Sequence, residues 1–506
     1  MGEARRSRWS AVVALVAVCP FCWMTGCKPE MPPEPPRDYN VVLVSIDTLR
    51  ADRLNCHGYR EREVSPDIDA LAGDGVLFEN YIAASPWTTP AHLSLLTSLS
   101  PSAHRVLRCF EELRNDLSVR GTMDGLPDVR TTLAKVLRDE GYRTAAFTGG
   151  GTMDEAIGFG QGFELYDQSM FKLNSLNTEA MFRWIRERGD EQFFLFWHSF
   201  EVHAPYTRPH FLSEVLPGAT ATQISEEIRE LARPLRWRTP DFQEHDAMNI
   251  RHANVLQRHD AYTPEVSEAL YTGGIREADR WLGRLIGLLR ALGLYDRKLI
   301  VFTSDHGEEF ADRTPHDFYN RHGHTVYDEM VRVPLILKLP NQQYAGTRVA
   351  NQARKIDVMP TILDVLGVRL AESQMQGVSL RAMWVSPAQQ EERLAVTEAL
   401  ARRNEKKSVR TGRYKLLFSI DEQTVIWHGR RHMPKTAKRL ELYDLKTDPH
   451  EQRDIMVSHN AEAMAPMVDS LKGYLREHVR VDGPAARQVR LDEATITDLR
   501  ALGYVE

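Results

Sequence analysis

Residues 40–47 read NVVLVSID, an apolar run broken by Ser45 and closed by a carboxylate, Asp47. A strand with one wet face alternates apolar and polar residues. A strand covered on both faces is apolar throughout, which is the habit of parallel sheets lying between helix layers. Two later stretches repeat the pattern: QFFLFWHSFEVHAPY at 192–206 and KLIVFTSDHGEE at 298–309 each run apolar and then turn abruptly polar. Residues 131–150, TTLAKVLRDEGYRTAAFTGG, read as a helix stopped at Gly141 and followed by another apolar strand. The alternation predicts an α/β fold with a mostly parallel sheet sandwiched by helices. In open sheets of this kind ligands gather beyond the carboxyl ends of the strands. Three such ends carry Asp47, the group His198, Glu201 and His203, and the pair Asp305–His306, so the pattern points to one site.

Working outward, 506 residues exceed one core of ordinary size and predict a large domain, 39–394, with a smaller companion. Residues 268–296 have apolar side chains at helical spacing and read as a long packed helix. The stretch 215–265 is rich in Arg, Glu and His with little periodicity, and is expected to form an insertion at the rim of the site. Beyond DVMPTILDVLGV (357–368) the pattern changes to hairpin strands and turns, predicting a small α+β subdomain over 395–484. Residues 485–506 read as a tail ending in a short helix. A net charge of −6 offers no basic excess for nucleic acid; an anionic substrate would need local positive charge, as a bound cation provides.

The N-terminus has a basic start (Arg5, Arg6, Arg8) and an apolar run from Trp9 to Trp23, short for a membrane span and suited to a secretory signal. Met24-Thr25-Gly26-Cys27 resembles a bacterial lipobox, with 1–26 removed and Cys27 lipidated; an ordinary signal peptide or uncleaved anchor is the alternative. The proline-rich 27–38 suits an extended tether. Lys28 after the cysteine points, by the same resemblance, to the outer membrane, so the expected location is the bacterial cell envelope, facing periplasm or cell surface. Cys56 and Cys109 either pair or remain free thiols.

Two carboxylates and an imidazole from separate strand ends, Asp47, Asp305 and His306, are suitable ligands for one divalent ion. A strand-end aspartate can instead cap the next helix, which explains Asp47 alone but not an Asp–His pair. SPWTTPAHLSLLTS, residues 85–98, reads as a helix start, with Thr88 or Thr89 as cap and Pro90 in the first turn, or as an oxygen nucleophile at a helix N-terminus, where an anion is favoured.

Taken together, NVVLVSIDTLRADRLNCHGY (40–59), the stretch 65–101, FWHSFEVHAPY (196–206), IVFTSDHGEEF (300–310), HGHTVYDEMVRVPLIL (322–337), KIDVMPTILDVLGV (355–368) and LYDLKTDPHEQRDI (442–455) stand in the order found in sulfatases. The chain thus resembles that family of the alkaline phosphatase superfamily. The resemblance implies an alkaline-phosphatase-like sheet and a metal site at which a nucleophilic oxygen attacks a sulfate or phosphate ester in line. Asp47, Asp305 and His306 match metal-ligand positions, with Ca, Mg, Mn or Zn as the ion, but Ile46 stands where sulfatases commonly have a second aspartate. Thr88 falls at the position of the cysteine or serine that sulfatases convert to formylglycine, so formylglycine is not expected, and His92 replaces the arginine that follows. A plain threonine resembles the nucleophile of nucleotide pyrophosphatases and of phosphoglycerol and phosphoethanolamine transferases, and Thr88 would also touch the metal. His203 and His322 match substrate-side or leaving-group positions, which in two-metal relatives bind a second ion. Arg50 and His92 are candidates for the substrate anion, with Arg50 alternatively exposed and paired to Asp52 or Glu308. His198 reads as a buried or orienting histidine and Glu201 as a second-site carboxylate; His316 and His324 have no assigned role. The expected function is cleavage of an anionic ester through Thr88, the alternatives being phospho-group transfer or an inactive envelope-binding protein.

Overall fold

The computed structural model describes residues 39–490 apart from 108–121, 171–172, 174, 233–254, 257, 262, 314–321, 372–373, 387–391, 402–403, 424–425, 428–429, 432–434, 459–464, 466–467, 470–471 and 474–485. The signal segment with Cys27, the tether, Cys109, His316 and the helix expected over 491–506 lie outside the described residues. Among the described residues Cys56 is a free thiol, and no helix is long and apolar enough to cross a membrane.

The strands in chain order are β1 (Asn40–Ile46), β2 (Val76–Phe78), β3 (Tyr81–Ile82), β4 (Thr122–Gly125), β5 (Arg143–Phe147), β6 (Leu165–Asp167), β7 (Phe193–Ser199), β8 (Lys298–Thr303), β9 (Leu335–Lys338), β10 (Thr347–Val349) and β11 (Ala353–Arg354). Eight of them form one sheet in the order β10-β2-β9-β8-β1-β7-β5-β6. The three apolar stretches read from the sequence are its centre: β1 pairs in parallel with β7 (Val44 opposite Trp197) and with β8 (Val44 opposite Phe302). Parallel pairing brings their carboxyl ends to one edge. Only β9 runs against its neighbours, pairing antiparallel with β8 and β2, so the sheet is mostly parallel, as expected.

Both faces of β1 are covered, because alternate residues point to opposite sides. Val41 and Leu43 join one core with the helices α2 (Thr88–Thr97), Leu133–Asp139 and Val358–Val365. Val42, Val44 and Ile46 join the other, with α1 (Pro66–Gly73), Ser175–Glu187 and the long helix Pro264–Ala291. Each fully buried valine or leucine contributes roughly 1.5–3 kcal/mol, so the runs that looked doubly covered anchor two cores at once. Within the insertion expected over 215–265, Gly218–Ala232 is a helix whose Ala221, Ile224 and Ile228 enter the second core.

Beyond the sheet, β12 (Ala395–Ala401), β13 (Asn404–Arg410), β14 (Tyr414–Gln423) and β17 (Lys435–Asp444) form an antiparallel sheet in that order, with the short hairpin β15 (Ile426–Trp427) and β16 (Arg430–Arg431) between the last two. Ion pairs to Asp328 join it to the large domain, from Lys415 Nζ at 2.8 Å and Arg410 at 3.0 Å, while Lys415 also lies 2.9 Å from Glu451 within the subdomain. At the start of the tail, β18 (Arg487–Arg490) is a strand that pairs antiparallel with β4.

Candidate active site

At the carboxyl edge β1 delivers Asp47, β8 delivers Asp305 and His306, and the start of α2 delivers Thr88; all four are fully buried. The turn after β1 is tightly held. Thr48 has φ 58°, a left-handed conformation that costs a β-branched residue energy. Its N–H donates to Asp305 Oδ1 (3.2 Å), its carbonyl accepts from the Tyr271 hydroxyl (2.7 Å), and Leu49 N–H donates to Ser304 Oγ (2.9 Å). These bonds tie the end of β1 to the end of β8 and fix Asp47 beside Asp305. Neither aspartate caps a helix.

Asp47, Asp305 and His306 offer one ligand atom each within 4.8 Å of one another. Asp47 Oδ1 and Asp305 Oδ2 are buried with no hydrogen-bond donor. His306 Nδ1–H donates to the Gly307 carbonyl (2.8 Å), so Nε2 carries its lone pair toward Asp305 Oδ2 (3.3 Å) and Asp47 Oδ1 (3.9 Å). Three electron-rich atoms thus converge in a buried cleft, an arrangement a cation resolves. Burial and the charge of Asp305 push the Asp47 carboxyl well above the usual range. Burial opposes ionisation of Asp305 too, but His306, His92, His198 and Lys355 hold its carboxyl low. Burial lowers His306 to about 4, keeping it neutral and able to ligate. The donor set fits a divalent ion.

Thr88 is the first residue of α2; Trp87 occupies the cap position, and Thr88 makes no cap. Its Oγ1–H instead donates to Asp47 Oδ2 (3.2 Å) and lies 3.4 Å from His306 Nε2. Thr89 donates to the Thr152 carbonyl (2.7 Å), away from this group. His198 Nδ1 accepts from Gly149 N–H (3.4 Å), so Nε2–H donates to Asp47 Oδ2 (3.3 Å): it orients the carboxylate. His322 and His203 extend the cluster, with ring centroids 4.6 Å from His306 to His322 and 4.9 Å from His322 to His203.

Three residues expected beside the substrate or a second ion are engaged by partners within the protein. Arg50 is buried, and its guanidinium is taken up by Asp52 (2.8 Å), Asp312 (2.8 Å) and the Glu308 carbonyl (3.1 Å), so it holds the loop. His92 lies beneath the site: Nδ1–H donates to the Thr88 carbonyl (3.0 Å), Nε2 accepts from Ser45 Oγ–H (2.9 Å), and burial lowers its pKa to about 4. It braces α2 against β1. Glu201 accepts from Arg208 (2.6 Å) and Leu173 N–H (2.7 Å). His324 pairs with Glu309 (2.7 Å).

Two buried charges were missed. Lys355 donates to the Ser304 carbonyl, and burial lowers its pKa to about 7 against the pull of Asp305 and Asp47. Glu308, two residues past His306, bonds His322. The SDHGEE motif contained it, but nothing local distinguished its first glutamate from its second.

The Sulfatase family model matches residues 39–368, and that of the N-sulphoglucosamine sulphohydrolase C-terminal region matches residues 315–480. The chain is 27% identical over 395 residues to the multifunctional alkaline phosphatase superfamily protein PehA of Trinickia caryophylli, covering 65% of this chain and 74% of that protein. It is 24% identical over 374 residues to N-acetylgalactosamine-6-sulfatase of Sus scrofa, covering 72% and 67%. The phosphonate monoester hydrolase SpPMH from Silicibacter pomeroyi has the same fold, with a TM-score of 0.62 over 89% of this chain and 99% of that one at 19% identity.

Proposed function

The chain belongs to the sulfatase family of the alkaline phosphatase superfamily and is a sulfatase-like ester hydrolase, and on that premise we propose that Thr88 is its nucleophile and phosphoesters its preferred substrates. The observation that carries this reading is the placement of Thr88 Oγ1, 3.2 Å from Asp47 and 3.4 Å from His306 at the N-terminus of α2. The family generally binds a divalent metal; Asp47, Asp305 and His306, with Thr88 beside them, would hold it. Such an ion supplies Lewis-acid polarisation of the ester and neutralises charge on the attacking oxygen.

In this reading Thr88 Oγ1 gives its proton to Asp47 Oδ2 and attacks phosphorus in line. The bond to the leaving oxygen breaks, that oxygen departs with the electron pair, and a proton comes from His322, with His203 beside it. Water then cleaves the threonine ester and restores the hydroxyl. The N-terminal dipole of α2 favours the anion throughout. The preference follows from the plain hydroxyl, because an O-sulfated threonine lacks the elimination route open to an aldehyde hydrate, whereas a phosphothreonine can be hydrolysed by attack at phosphorus.

The test is turnover of p-nitrophenyl sulfate, p-nitrophenyl phosphate and bis-p-nitrophenyl phosphate with Mg, Mn, Ca and Zn. Thr88→Ala is expected to lower turnover by at least about 1,000-fold, and Thr88→Ser to retain most of it. Full activity in Thr88→Ala removes threonine from the role. Sulfate turnover above phosphoester turnover overturns the preference. Appearance of an acceptor-bound product instead of free phosphate would make the enzyme a transferase.

A further inference from the structure

Glu308 is fully buried, and a carboxylate in that position is costly unless each oxygen finds a donor. Both do. Oε1 accepts from His322 Nδ1–H at 3.1 Å, and Oε2 accepts from the Tyr206 hydroxyl at 3.0 Å. The backbone of the same residue is pinned as well, its carbonyl accepting from Arg50 Nη1 at 3.1 Å. Tyr206 packs edge-on against Tyr271, with centroids 5.7 Å apart at 82°. Tyr271 is the residue whose hydroxyl holds the Thr48 carbonyl in the turn behind Asp47. A continuous line of contacts therefore runs from the metal-facing turn of β1, through two tyrosines and one glutamate, to His322.

We propose that Glu308 and Tyr206 are positioning residues: they lock His322 with its Nδ1–H toward Glu308, so that Nε2 is the nitrogen turned to the leaving oxygen. The proposal rests on the reading of His322 as the leaving-group histidine, and it adds the device that aims that ring. An imidazole free to flip would present either nitrogen. A carboxylate held on its far side by a phenol, and on its backbone by a guanidinium, has one direction in which to accept. Glu308 and Tyr206 touch neither substrate nor metal-facing atoms in this scheme. Their effect passes through His322, and it grows as the leaving oxygen becomes more basic and more dependent on a well-placed proton.

The experiment compares phenyl and 4-nitrophenyl esters of phenylphosphonic acid in wild type, Glu308→Gln and Tyr206→Phe, with metal content measured for each. Glu308→Gln is expected to lose about 100-fold in kcat on the phenyl ester and less than about threefold on the 4-nitrophenyl ester, with metal content unchanged. Tyr206→Phe is expected to lose about tenfold on the phenyl ester alone. Equal losses on both esters signify general disruption and overturn the proposal. A second readout needs no turnover: imidazole ¹⁵N shifts of the full chain should show His322 keeping its Nδ1 proton in wild type whether or not Nε2 carries the proton it donates, and losing that preference for Nδ1 in Glu308→Ala. An unchanged tautomer in that variant also overturns the proposal. Failure of the wild type to cleave either ester would instead strike the hydrolase reading, while the ¹⁵N shifts still decide the role of Glu308.

Discussion

Arg50 is 3% exposed, and its guanidinium faces two carboxylates and a carbonyl. Asp52 and Asp312 hold it protonated, and it in turn holds Asp52 ionised. Removing one partner of a buried ion pair strands the other, at about 3–5 kcal/mol, and the low end applies here because the Asp52 side chain is 42% exposed. Arg50→Ala is therefore expected to lose about 3 kcal/mol in urea denaturation, with KM for an anionic ester changed less than about threefold. A KM rise near 100-fold at undiminished stability would return Arg50 to the substrate. Single residues were legible in the sequence where chemistry sat at a strand end: Asp47, Asp305 and His306 stand where the apolar runs stop. Lys355 and Glu308 were not, because a buried charge is recognised by its partner, and the partners lie elsewhere in the chain. The partners of His92 were hidden for the same reason, since its position in α2 said nothing of Ser45 beneath it.

Gly307 shows how an element boundary serves the site. A Cβ placed there would stand 1.9 Å from the Glu329 carbonyl oxygen, and Gly307 N–H donates to the Met330 carbonyl at 2.7 Å. The end of β8 and the short helix Asp328–Val331 thus meet backbone to backbone, with a metal-facing histidine on one side and a glutamate clamp on the other. Gly307→Ala must part them by more than an ångström, since backbone cannot yield as a side chain tip does. We expect it to weaken metal binding by at least about tenfold, the scale seen when ligand support is disturbed, measured by calorimetry; wild-type affinity would show that the two elements separate harmlessly. Elements with a doubly apolar pattern were read correctly, and the helix Pro264–Ala291 followed its period. The helix Gly218–Ala232 was missed although Ala221, Ile224 and Ile228 carry helical spacing; the charge of the wider stretch hid three residues that mattered. The antiparallel insertion of β9 had no local signature, because strand direction is set by what the chain meets.

Across the whole molecule the reactive groups gather at one edge of the sheet, and a different cost is met at the other. Lys298 opens β8 fully buried, with its Nζ 4.5 Å from the centroid of the Phe193 ring and without a hydrogen-bond partner among the described residues. Burial lowers its pKa to about 7. Below that pH the folded chain must bury an ammonium; between about 7 and the ordinary lysine value near 10.4 the unfolded chain binds more protons, so stability rises with pH. Lys298→Met should raise Tm by about 3 °C or more at pH 6, with the gain shrinking by pH 9.5. A pH-independent gain would mean packing alone is at work. The sandwich, the site edge and the small subdomain were all legible from apolar runs and their order. The closure of the chain was not, for β18 lies far along the chain from β4, the strand it pairs with. That closure sets a schedule for synthesis. β4 leaves the ribosome long before β18 exists, and until Arg487–Arg490 arrives its edge offers unpaired amides to any neighbour. A nascent or truncated chain that stops short of β18 therefore carries an open seam.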